Sequence, residues 1–176
     1  MAGPYDFLAN APHGFDDWAQ SREGERLRDV AGLRAILHDY GRTPQGGFQR
    51  DSFIPYHWLV TPEGRLIQRY RPDQVAPHAY QSNPTTLGIA YGAPVGSELT
   101  PQARATMAWL RQNMPQGMQY ETHGQAYDRT RGTPQQASVA GRGSDEARWH
   151  AVFSKTMLLQ YWQRYRLLSS AIADLP

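Results

Sequence analysis

The chain has no cysteine, a single lysine, and no apolar run approaching the length that crosses a membrane. The first absence removes disulfides and thiolate metal ligands, and by itself does not choose a compartment. The third argues against a spanning helix, which needs about 20 consecutive apolar residues. Lys155 stands alone among 17 arginines. Arginine grips carboxylates and phosphates in a planar fork, so an anionic partner is one reading of that bias. A solvated surface with compositional bias is the other. The formal net charge of +2 is too small to argue for nucleic acid. Met1 to Asp6 shows no basic stretch leading into an apolar one, so no signal peptide is expected and the location stays open.

What is present suits one soluble domain. The 176 residues, 40% of them hydrophobic, can bury a single core, and no internal repeat divides them. Residues 1–14 read as an N-terminal extension, with a possible short strand over Tyr5 to Ala9. From about Phe15 to Tyr40 the apolar positions Trp18, Leu27, Val30, Leu33, Ile36 and Leu37 recur at three- and four-residue steps. That spacing predicts helix, and it puts His38 on it. Gly41 and Pro44 end the segment, and a polar loop follows over Thr43 to Asp51.

The stretch from Ile54 to Gly92 is the most informative. Tyr56 to Val60 and Leu66 to Tyr70 are runs of strand length. Thr61-Pro62-Glu63-Gly64 between them predicts a tight turn, hence a hairpin. Thr86 to Tyr91 is a further strand. His78 and Asn83 fall on the loop between hairpin and strand, where chemistry tends to sit. Thr100 with Pro101 predicts the start of a helix running to about Asn113. Met118 to Thr122 predicts a short strand leading to His123. Residues 124–144 read as a long loop. Residues 144–173 read as a terminal helix whose aromatic stripe (Phe153, Tyr161, Trp162, Tyr165) suits core packing or a protein partner.

These pieces occur in a familiar order. Tyr56-His57, Pro77-His78-Ala79, Asn83 and Gly88-Ile89, then Leu99-Thr100-Pro101-Gln102 and Glu121-Thr122-His123, resemble zinc-dependent N-acetylmuramoyl-L-alanine amidases of the phage-lysozyme and peptidoglycan-recognition-protein type. The likeness covers roughly residues 25–135. It implies an α/β domain with a central mixed sheet of about five strands flanked by helices, and peptidoglycan or muropeptide as partner.

The resemblance also implies a zinc ion (Zn2+) on three protein ligands with an open fourth position. His123 matches the second ligand. Arg131-Gly132-Thr133-Pro134 matches the motif that carries the third, placing Arg131 at the catalytic lysine and Thr133, a poor zinc donor, at the ligand. Asp128 lies nearby as a substitute. If Tyr5 to Ala9 is the family's first strand, its end falls on Asn10, and His13 is the near alternative for the first ligand. Tyr56 matches the catalytic tyrosine that would stabilise an oxyanion. His78 and Asn83 match groove residues, and Arg131 could fork a stem carboxylate. The bland alternatives are a core aromatic for Tyr56 and loop-fixing hydrogen bonds for His78 and Asn83.

Three functions follow as expectations. The first is a peptidoglycan-binding protein with lost or weakened catalysis. The second is a working amidase with an altered ligand set such as His13, His123 and Asp128. The third is a scaffold component of a larger particle such as a phage virion.

Overall fold

A computed structural model describes residues 3–20, 34–79, 82–94, 97–122 and 126. The chain runs through a 3-10 helix (Asp6–Asn10), β1 (Phe15–Asp17), β2 (Arg34–Gly41), β3 (Trp58–Val60) and β4 (Leu66–Gln68). A second 3-10 turn (Asn83–Thr85), β5 (Leu87–Pro94), α1 (Pro101–Asn113) and β6 (Gln119–Thr122) follow. The strands form one mixed sheet in the order β1-β4-β3-β5-β2-β6. Among the described residues only the β3–β4 hairpin is antiparallel. The expected terminal helix over 144–173 lies outside the described residues.

The hairpin forms as its turn chemistry requires. Gly64 N–H donates to the Thr61 carbonyl at 2.9 Å, with Gly64 at φ +82°. A Cβ at Gly64 would lie 2.7 Å from the Gln102 carbonyl oxygen, so turn and helix touch backbone to backbone. α1 holds that turn at two further points. The Thr100 hydroxyl donates to the Pro62 carbonyl and accepts from Ala103 N–H at the helix start, and the Thr106 hydroxyl donates to the Gly64 carbonyl at 2.6 Å.

One face of the sheet packs on α1. Leu37, Trp58, Val60, Leu66, Leu87, Ile89 and Tyr91 meet Ala103, Met107 and Leu110 there. On β5 the large residues Leu87, Ile89 and Tyr91 all belong to this face. Strand alternation therefore gives the opposite face Gly88, Ala90 and Gly92. That thin strip is covered by side chains from loops. A Cβ at Gly88 would meet His78 Cγ at 2.6 Å, and one at Gly92 would meet Phe48 Cζ at 2.6 Å. The long polar loop after β2 thus delivers Phe48 onto the sheet, in a cluster with Ile54, Tyr56, Leu59, Ile67 and Ala90.

Two sequence expectations are corrected. Residues 5–9 do not form a strand. Their backbone bonds run three residues apart, and Leu8 is buried while the Tyr5 ring packs tilted against Trp58 at 5.5 Å between centroids. The helix expected up to Tyr40 is instead strand at both ends described, β1 and β2. Ala35, Ile36, Leu37 and His38 are each at most 3% exposed because β2 lies between β5 and β6, covered on both faces. A strand buried on both faces reads as a continuous apolar run, and period alone cannot separate it from helix.

Candidate functional site

His38 is the residue that the strand assignment moves. It sits on β2 opposite Ala90, on the face that carries Ile36 and Tyr40. Tyr56 packs against it at 4.8 Å between ring centroids, and Tyr40 meets Tyr56 edge-on at 5.7 Å. His78 completes the group from the loop before β5. His38 Nε2 and His78 Nδ1 are 3.0 Å apart, and both rings are almost fully buried. The sequence placed Tyr56 and His78 near each other; that they converge on His38 required β2 to be read as strand.

The neighbouring His57 has a different job. It is fully buried, its Nε2–H donates to the Gln74 carbonyl at 2.8 Å, and its Nδ1 accepts from Gly88 N–H at 2.9 Å. Its backbone N–H donates to the Gly88 carbonyl. This residue clamps β3 to β5 and sets the direction of Tyr56 before it. Asn83 fixes its own loop: its side-chain carbonyl accepts from Ala79 N–H at 2.6 Å, and its backbone N–H donates to the Ala79 carbonyl.

At the edge of the sheet, β6 runs parallel to β2 with Ile36 opposite Glu121 and Leu37 opposite Thr122. Glu121 is 5% exposed and pairs with Arg34 at 3.0 Å, on the side of the sheet that carries Ile36 and His38. The pairing itself does not show in the sequence, since nothing in the local pattern reveals that strand 34–41 lies beside strand 119–122. Tyr120, on the other side of β6, has its phenol pushed up to about 12, mainly by burial and despite the Arg111 guanidinium over its ring at 4.7 Å.

The remaining sequence candidates divide plainly. His13 is exposed in the turn before β1, four strand positions from β2, roughly 19 Å at the usual strand spacing. Asn10 ends a 3-10 helix at that same side of the sheet and does not end a central strand. His38 lies inside β2, one residue beyond its last pairing with β6. His123, Asp128, Arg131 and Thr133 lie outside the described residues.

Imidazole is a good zinc donor, and His38 offers a buried one within a central strand. Among the described residues no three His, Cys, Asp or Glu side chains gather in a way that could hold an ion. His38 fits zinc as one ligand; of the ligands the sequence suggests, His13 lies far from it, and His123, Asp128 and Thr133 lie outside the described residues.

Comparison with solved structures places the fold. The Ph2119 endolysin of a Thermus scotoductus bacteriophage matches at a TM-score of 0.53 and 16% identity, over 73% of this chain and 98% of its own. Peptidoglycan recognition protein LE, solved with tracheal cytotoxin, matches at 0.52 and 16% identity, over 63% and 82%. Drosophila peptidoglycan recognition protein SD matches at 0.50 and 20% identity, over 64% and 83%. No protein-family model matches the sequence, and no curated protein does. The chain has the fold shared by this endolysin and these peptidoglycan recognition proteins.

Proposed function

We propose that this chain binds the peptide stem of peptidoglycan in a groove over the face of the sheet that carries His38, Tyr56 and His78, with Asn83 holding one wall. The observation that carries the reading is the convergence of Tyr56 and His78 on a buried strand histidine, 4.8 Å and 3.0 Å away. It is supported by the fold, which this chain shares with proteins solved as an endolysin and as a muropeptide complex. A purely packed core would fill these positions with apolar side chains, whereas this one buries two imidazoles and a phenol beside the Gly88-Ala90 strip.

A second reading, hydrolysis of the lactyl amide, is favoured by His38 itself. It stands one residue beyond the last β2–β6 pair, and His123 is the residue that follows β6 in sequence. On this reading His38 and His123 would hold zinc, with Asp128 or Thr133 contributing the third donor. Bound there, the metal would polarise the amide carbonyl and acidify the attacking water. Tyr56 would donate its hydroxyl to the developing oxyanion. Arg131 would fork a carboxylate of the stem.

The test is a muropeptide titration followed calorimetrically, with metal content measured on protein purified without chelator. Binding is expected, weakened at least tenfold by Tyr56→Ala. One zinc per chain, lost in His38→Ala, together with release of stem peptide, adds hydrolysis. Absence of binding to any muropeptide overturns the proposal and turns attention to a scaffold role.

A further inference from the structure

The hydrogen bonds of His78 fix which nitrogen His38 can offer. His78 Nε2 lies 3.2 Å from the Thr86 carbonyl, an acceptor with no proton to give, so His78 Nε2 carries the hydrogen. The Thr86 hydroxyl, 3.3 Å from the same nitrogen, donates to the Ser82 carbonyl at 2.7 Å and can only accept from His78. In a neutral ring the other nitrogen, Nδ1, is then an acceptor. The group facing it at 3.0 Å is His38 Nε2, which must donate. The lone pair of His38 therefore lies on Nδ1.

The alternative, that the two rings jointly chelate an ion, does not fit the geometry. The centroids are 5.2 Å apart, close to the 3.0 Å nitrogen contact plus the two ring radii. The facing nitrogens thus point along one line, as in a hydrogen bond. Two ligands of a shared metal would converge on it at an angle.

We propose that His78 is a positioning residue: anchored on the Thr86 carbonyl, it locks His38 in the tautomer with its proton on Nε2 and Nδ1 presented as the donor atom of the site. Gly88 is part of the device, because the His78 ring occupies the space a Cβ would take. The tautomer follows from the bonds of His78 to Thr86 and His38. Its use toward a metal rests on the zinc reading above.

The experiment is two-bond proton–nitrogen correlation NMR of metal-free, 15N-histidine-labelled protein at a pH where the rings are neutral, with the His38 signals assigned by their loss in His38→Ala. Wild type should show His38 protonated on Nε2 and bare on Nδ1. His78→Leu should release the lock and give a mixture of both forms. His78→Asn, whose side-chain oxygen reproduces the Nδ1 acceptor, should restore it. Where zinc binds wild type, its affinity should drop about 10–100-fold in His78→Leu, the usual effect of removing such a partner, and recover in His78→Asn. A His38 proton on Nδ1 in the unmutated protein overturns the inference without recourse to any variant. So does a tautomer unmoved by His78→Leu. Failure of zinc to bind wild type counts against the zinc reading and leaves the tautomer result standing.

Discussion

At Gly88 a single missing carbon decides where an imidazole rests. Gly88→Ala should push His78 off its place, costing about 1–3 kcal/mol of stability as an overpacked core position does. Urea unfolding would measure the cost, and the His38 nitrogen signals would report the displaced ring. Tyr120 gives a prediction of another kind. Its folded-state value of about 12 stands above the ordinary 10.0 because burial penalises the phenolate. Its contribution is fully present below pH 10 and is lost as pH rises through about 12, since the unfolded chain ionises first. Tyr120→Phe should therefore flatten the fall in stability over that window, read by circular dichroism against pH. At this scale the sequence was partly legible. Motif order singles out Tyr56 and His78, and the structure brings both against His38. His38 was seen but set on the wrong kind of element, and Glu121 was invisible as the buried partner of Arg34, because an ion pair 87 residues apart leaves no local mark.

Among the elements, α1 shows what sequence reads well. Thr100 caps it and Pro101 opens it, as their side chains and backbone dictate. The same helix carries a role its own pattern does not disclose: Thr106, fully buried, satisfies the Gly64 carbonyl in the hairpin turn. Thr106→Val keeps the shape and removes that donor. It should cost about 1–3 kcal/mol, the penalty of an unsatisfied buried acceptor, and should lower the denaturant midpoint without changing the slope. β2 shows the opposite case. Ala35-Ile36-Leu37 gives no alternation because both faces are buried, so only the partner strands distinguish it from helix. That one misassignment sent the search for a strand-end histidine to Asn10 and His13, at the far side of the sheet.

For the whole molecule, the strand order decides which residues can cooperate. It puts β1 and β6 at opposite edges and so separates His13 from His38, whatever their nearness in sequence. A ligand that binds the native site and not the unfolded chain stabilises by mass action. Muropeptide at one hundred times its dissociation constant should add about 2.7 kcal/mol. At about 2–4 °C per kcal/mol for a chain of this size, the rise is visible in a thermal scan and should shrink in Tyr56→Ala. The hairpin was legible from its turn and the apolar runs beside it, and the mixed sheet followed from the family resemblance. Its lateral order was not, because parallel neighbours such as β2 and β6 are joined by no turn that sequence could announce. That pairing also sets a timetable. Domains emerge from the ribosome amino end first, and β2 cannot gain its outer neighbour until residue 122 has been made. A nascent chain that has finished the hairpin and β5 already holds His38, Tyr56 and His78, yet the strand beside His38 stays open on its outer edge until β6 follows.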